Sequence, residues 1–280
     1  MRFPSLPRLL GLILAGLAAL VVVETASVRR VGRGLAGRTA ADSVQHGADA
    51  VAALADTARA WRMDAETADS VRRSETRAVL VSRATGTFMH DILRLSDSTL
   101  QRWPDRRATP LRVFVSDQGP RNAGRLRDDF PQAVREAFTI WEEVELPVRF
   151  VFVTDSALAD ITVSWVTDFN GDPVLGRTKV VRDSHFWIVR SDIQLAVMRR
   201  DATGELEPTV LRALAIHEIG HGIGLDHASD TTVIMAPKIR ARALTLSDKA
   251  TAQLLYSVPP GSVVTVKRVS LPSAPAMPQP

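Results

Sequence analysis

The chain reads as an α+β domain preceded by a helical N-terminal segment. Three patterns carry that reading: short runs of alternating apolar and polar residues between residues 111 and 198, an apolar stripe at helical spacing from Phe130 to Val144, and a change of composition at Thr109-Pro110, ahead of which the chain is rich in Ala, Arg, Asp, Ser and Thr.

In order along the chain, residues 1–26 open with Arg2 and Arg8 and run into an uncharged apolar stretch at 9–23, LLGLILAGLAALVVV. The 15 residues of that stretch fall short of the roughly 20 that cross a bilayer, which fits a signal peptide. Val23-Glu24-Thr25-Ala26 is a poor small-x-small cleavage site, which fits a retained membrane anchor. Either way the chain is expected to be exported, secreted or anchored with the bulk of it outside the cytoplasm. Arg29, Arg30, Arg33 and Arg38 behind the run oppose an inward N-terminus.

Residues 27–108 are expected to form a helical stalk, spacer or prosegment. Val44, Ala48, Val51, Ala55 and Ala58 fall in steps of four and three, a helical seam, but it is made largely of alanine and reaches Arg62, so any coiled coil is weak. The main domain is placed at 109–258. Leu111 to Val115 alternates as a strand; Phe130, Val134, Ala137, Phe138, Trp141 and Val144 mark a long amphipathic helix; strand-like runs follow at 148–153, 161–166, 178–181 and 186–198. A helix begins after Glu207-Pro208, and another, capped by Thr245 or Ser247, carries Ala250, Leu254 and Leu255. Trp141, Trp165 and Trp187 fall on apolar faces and are expected in the core. Residues 259–280, rich in Pro and Ser, are expected to be a disordered tail.

Composition excludes some chemistry. With no cysteine there are no disulfides, thiolate ligands or cysteine nucleophiles, so a metal site must use His and carboxylates. The net charge of +4 is unevenly spread: residues 1–108 hold 16 Lys/Arg against 11 Asp/Glu, while 109–257 hold 17 against 20, or −3. A nucleic-acid binder concentrates cations on its functional part, so no nucleic-acid partner is expected.

The chemistry gathers at His217-Glu218-Ile219-Gly220-His221-Gly222-Ile223-Gly224-Leu225-Asp226-His227. On a helix, residues i and i+4 share a face, so His217 and His221 can offer ring nitrogens to one ion about 2 Å away. Glu218 lies one position along, within reach of a water at the ion's open site, the place for a general base. The third ligand needs the chain to leave the helix. Gly224 can take positive φ without a Cβ clash and turn His227 back toward the ion. Three imidazoles and a water make an open site of the catalytic type for a single Zn²⁺.

These residues resemble the metzincins, whose long zinc motif H-E-x-x-H-x-x-G-x-x-H is matched at every specified position and is followed in that group by a methionine turn. Met235, in Thr232-Val233-Ile234-Met235-Ala236-Pro237, looks like that methionine. Within the metzincins the chain is most similar to the matrixins, through Ile234 to Pro237 and through Leu-Ser-Asp and Leu-Leu-Tyr between Leu246 and Tyr256. The resemblance implies a zincin-like catalytic domain, a twisted, mostly parallel five-stranded sheet with three helices, and a zinc endopeptidase in which Glu218 activates a zinc-bound water. It also implies a protein or peptide substrate bound as an extended strand beside a sheet edge. Residues 192–197 (Asp192, Ile193, Gln194, Leu195, Ala196 and Val197) alternate as such a strand should and are the candidate edge, though an interior strand would alternate in the same way. Ile239 stands where matrixins commonly place an aromatic in the wall of the main specificity pocket, so their side-chain preference does not carry over. The cysteine that keeps many relatives latent is absent. A competing reading is an inactive, membrane-tethered binding module that keeps the zinc fold; a third makes the N-terminal helices an oligomerising stalk.

Asp168, Asn170 and Asp172 around Gly171 read as a solvated turn, with Ca²⁺ as the competing occupant because matrixins bind calcium in comparable loops; Lys179 stands where a twelve-residue calcium loop closes on Glu. His185 loosely resembles part of the matrixin structural-zinc segment but has no companion ligands, and no second zinc is expected.

Overall fold

The computed structural model describes residues 40–120, 126–169, 172–199, 201 and 203–264, with side chains from residue 54 onward. The apolar run at 9–23, Asn170 and residues 265–280 lie outside the described residues, and no described helix is long and apolar enough to cross a membrane. The chain divides into two compact units near Glu66. Helix α1 (Ala40–Arg83) runs through the division. Its first part is solvent-exposed from Leu54 to Met63, with an i,i+3 pair between Arg59 and Asp56 at 3.4 Å. Every other described element belongs to the second unit: α2 (Met89–Leu95), β1 (Thr99–Leu100), β2 (Arg106–Val115), α3 (Asp129–Glu142), β3 (Val148–Phe152), β4 (Ile161–Val166), β5 (Gly176–Arg182), β6 (Ile188–Ala196), α4 (Pro208–Gly222), α5 (Leu246–Ser257) and β7 (Gly261–Ser262).

The five-stranded sheet has the order β3-β2-β4-β6-β5. All neighbours are parallel except β5, which runs antiparallel to β6. Leu111, Val113 and Val115 of β2 and Ile161, Val163 and Trp165 of β4 point to one buried face, as strict alternation requires when one side of a sheet is covered. The register of β2 on β3 slips between Arg106 and Leu111, where Pro110 has no N–H for the ladder. The strand starts at Arg106, ahead of the alternating run read from Leu111 to Val115.

Helix α3 covers that face with Phe130, Val134, Ala137, Phe138 and Trp141. Helix α4 is buried on nearly all sides, from Leu211 through Gly220, so it has no amphipathic stripe and is read from its motif and Pro208 start instead. Helix α5 begins with a capping box in which Thr245 accepts from Asp248 N–H and the Asp248 carboxylate accepts from Thr245 N–H. Trp141 and Trp165 are buried as expected, but Trp187 is only half-buried: it lies under the Arg102 guanidinium, 4.7 Å from its ring centroid, at the margin of the core.

The segments on either side of the sheet are not the appendages that composition implied. From Leu80 onward the residues assigned to a stalk or prosegment enter the same core: Phe88, Met89, Ile92, Leu100 and Trp103 are all nearly inaccessible. At the other end, β7 pairs antiparallel with β1, Thr99 opposite Ser262, and Val258 and Val263 are buried. The first residues of the proline-rich tail are thus ordered. The tail's pattern hides that, because Val263 is the one hydrophobic side chain it adds to the core among the described residues.

Trp103 shows what these additions hold. Its indole Nε1 donates to the carbonyl of Gly222 at 2.9 Å, and Tyr256 Oη donates to the carbonyl of Ile223 at 2.9 Å. Both carbonyls sit at the C-terminal end of α4, where no intrahelical donor remains. Trp103→Ala is therefore expected to cost about 3–5 kcal/mol in chemical denaturation, and a destabilisation below about 1 kcal/mol would show that the segment is dispensable.

Candidate metal centre and cleft

Helix α4 starts at Pro208, whose fixed φ fits the first helical position, and ends at Gly222. One turn apart on it, His217 and His221 bring their Nε2 atoms to 3.1 Å. Gly224, at φ +109°, then turns the chain, and a Cβ there would lie 2.2 Å from the carbonyl oxygen of Gln101. Only glycine meets both conditions. The turn returns His227, whose Nε2 lies 3.3 Å from that of His221. The three ligand atoms fall within 4.8 Å of one another, and this is the one such group among the described residues.

The donor set fits zinc. His217 Nδ1–H donates to Ile234 O at 2.8 Å and His221 Nδ1–H to Leu225 O at 2.9 Å, which leaves their Nε2 lone pairs pointing at each other with no proton between them. A shared cation satisfies that convergence, and bonds of 2.0–2.1 Å at tetrahedral angles put neighbouring nitrogens about 3.3 Å apart. Burial pushes His217 down to about 3 and His221 down to about 4, each pushed further by a neighbouring imidazole. Burial lowers His227 as well. The imidazoles are neutral, the form that ligates.

The depressed values have a consequence for stability without metal. Below the ordinary histidine pKa of 6.5, an unfolded chain takes up protons at these positions while the folded one does not, so acidification favours unfolding. Glu218, raised in the fold, acts in the opposite sense between about 7 and 4.5 but is one group against three. The chelator-treated protein is expected to lose thermal stability as pH falls from 6.5 toward 4. A midpoint flat across that window would contradict it.

Glu218 is buried beside the histidines, 4% exposed. Its carboxylate accepts a 2.6 Å hydrogen bond from Thr178 Oγ1 on β5, which also lies 3.0 Å from the Glu218 carbonyl. Burial pushes the carboxyl up to about 7, and the Thr178 hydrogen bond pulls against that. Gly176 makes the room: a Cβ there would meet Glu218 Oε1 at 2.3 Å.

Met235 is fully buried under this group. Its carbonyl accepts from Ala228 N–H at 2.9 Å, beside His227, while the N–H groups of Ile234 and Met235 both donate to the buried Asp248 carboxylate at 3.1 and 3.3 Å. Asp91 on α2 fixes the same loop from the other side, accepting from Ser229 N–H and Oγ at 2.8 Å each. Sequence reading missed Thr178, Gly176 and Asp91, which carry no motif; Asp248 was visible as part of a helix cap and of the Leu-Ser-Asp stretch, without its role under the methionine turn.

The candidate substrate edge requires correction. Residues 192–197 belong to β6 and its end, an interior strand: Asp192 pairs with Thr162 on one side and Lys179 on the other, and Val197 N–H donates to Val166. Their alternation reflects a core face, since Ile193 and Leu195 are buried against the helices, and alternation alone does not distinguish edge from interior. The sheet's edges are β3 and β5, and β5 is the one beside the histidines and Glu218. Of the calcium candidates, Asp172 pairs with Arg177 at 2.8 Å, and Asp168 joins no group capable of holding a metal among the described residues.

Beside Glu218, His221 and His227 opens a cleft of about 670 Å³. One wall is β5 from Gly176 to Thr178, the other the chain from Pro237 to Arg242, and Val210 and Leu214 of α4 lie between them.

Comparison with known proteins agrees with this geometry. The chain is 32% identical over 133 residues to Metalloendoproteinase 1 of Glycine max, covering 42% of this chain and 41% of that protein. It is 30% identical over 154 residues to Metalloendoproteinase 1-MMP of Arabidopsis thaliana, covering 48% and 39%. To Matrix metalloproteinase-16 of Homo sapiens it is 32% identical over 125 residues, covering 38% and 19%. The chain thus spans about two fifths or less of the length of these relatives. A family profile, Matrixin, matches residues 117–257, half of the chain and all of the zinc motif, and the chain belongs to the matrixin family.

Proposed function

We propose that the protein is a zinc-dependent endopeptidase. The observation that carries this is the convergence of three imidazole Nε2 atoms next to a buried carboxylate on the wall of an open cleft. His217, His221 and His227 hold the ion, which when bound supplies a Lewis acid that polarises a carbonyl and lowers the pKa of a water. Glu218 would take a proton from an attacking water as its oxygen adds to the scissile carbonyl carbon, and return that proton to the amine as the C–N bond breaks, so one group serves as base and then acid. The Thr178 hydroxyl holds the Glu218 carboxylate toward the cleft. Without metal, burial raises this carboxyl to about 7, and the charge of a bound cation would pull it back toward the ionised form that accepts a proton. The substrate lies extended along the free edge of β5, where main-chain pairing gives affinity and pockets read alternate side chains.

The test is hydrolysis of a broad peptide library by the detergent-solubilised full chain, zinc-loaded, with and without chelator. Cleavage that chelation abolishes and zinc restores is expected. A protein that binds zinc stoichiometrically yet cuts no peptide would favour the non-catalytic binding module instead.

A further inference from the structure

We infer that the cleft selects peptides carrying carboxylates close to the bond presented to Glu218, and that Lys238, Arg240 and Arg242 make the selection. The inference rests on the endopeptidase reading and adds the substrate class to it.

The stretch after the methionine turn, Pro237-Lys238-Ile239-Arg240-Ala241-Arg242, holds three cations and no acid. Exposure alternates along it. Ile239 and Ala241 are half-buried and pack against the core, so Lys238, Arg240 and Arg242 are all turned outward, and all three line the cleft. None has a carboxylate partner among the described residues. Arginines elsewhere in the same unit do: Arg112 with Asp160 at 3.0 Å, Arg190 with Asp192 at 2.9 Å, Arg212 with Glu136 at 3.1 Å. The two carboxylates that line the cleft are already engaged, Asp172 by Arg177 and Glu218 by Thr178.

The lining therefore carries four cations against two carboxylates, inside a stretch, 109–257, whose 17 Lys/Arg and 20 Asp/Glu sum to −3. The local field opposes the sign of its surroundings, and the apolar wall of Leu214 and Ile239 focuses it by excluding water. An acidic peptide lying beside β5 offers acceptors for charge-assisted hydrogen bonds to ammonium and guanidinium groups that have no carboxylate partner among the described residues. A basic peptide meets like charge and is rejected.

The experiment uses the zinc-loaded full chain and sets of peptides of identical length, with Glu, Gln or Lys at positions within three residues of the scissile bond on either side. The Glu peptides are expected to exceed the Gln peptides roughly tenfold in kcat/KM, mostly through KM, and the advantage is expected to shrink as salt rises from 0.05 to 0.5 M. In K238Q/R240Q/R242Q that ratio is expected to fall to about one, and in R240E/R242E the Lys peptides are expected to be preferred over the Glu peptides. Zinc content and thermal midpoint of each variant report that the fold is kept. Equal cleavage of Glu and Gln peptides by the unaltered protein, or a preference that survives the triple substitution, overturns the inference while leaving the peptidase reading standing. If no peptide is cut, the peptidase reading fails separately, and fluorescence anisotropy with the same peptides still decides the inference: equal Kd for Glu and Gln peptides overturns it.

Discussion

Glu218→Gln is expected to lower kcat/KM by about 10²–10⁴-fold while zinc stays bound. Gln matches Glu in shape, fits over Gly176 and still accepts from Thr178 Oγ1, so the packing of the wall is preserved. What it lacks is the lone pair of a carboxylate able to take a proton. Because the substitution removes a proton acceptor rather than substrate contacts, the loss should fall on kcat with KM little changed. Zinc content by metal analysis separates this from damage to the site, since Glu218 is not one of the three ligands. A variant that keeps full activity with zinc bound would end the general-base assignment.

Asp248→Ala is expected to cost about 3–5 kcal/mol of folding stability. This carboxylate is completely buried and accepts from four donors: Ile234 N–H, Met235 N–H, Thr245 N–H and Thr245 Oγ1. Removing it strands the two backbone donors of the methionine turn in an interior with no replacement, and also removes half of the α5 capping box. The effect should reach the metal. Ile234, whose N–H is lost to solvent or left unpaired, also supplies the carbonyl that orients the His217 ring. Weaker zinc binding in competition with a chromophoric chelator should therefore accompany the lower thermal midpoint. A variant that melts as before, or that melts lower with unchanged zinc affinity, would show that the turn does not position the ligand.

Much of this centre is legible in the sequence because its logic is local. A four-residue spacing on one helix sets His217 beside His221, and a glycine at 224 supplies a backbone turn that few other residues permit. The strands at 148–152 and 161–166 and helix α3 follow from alternation and an apolar stripe for the same reason: each faces one side of one core. Helix α4 shows where that logic stops, because an element buried all round has no periodicity to read. Residues 192–197 show it again, since an interior strand and an edge strand alternate alike.

By itself the sequence named the candidate ligands, the general-base candidate and the class of fold, all of which depend on residue type at fixed short spacing. The tertiary structure decided that β5 rather than β6 is the edge beside the cleft, and that Trp103, Asp91 and Tyr256, far apart in the chain, hold the end of α4 and the His227 loop. It also decided that Lys238, Arg240 and Arg242 face one cavity without carboxylate partners among the described residues. Those facts depend on which strand pairs with which and which carbonyl is left without a donor, and such long-range pairings leave no periodic mark on the residues that make them.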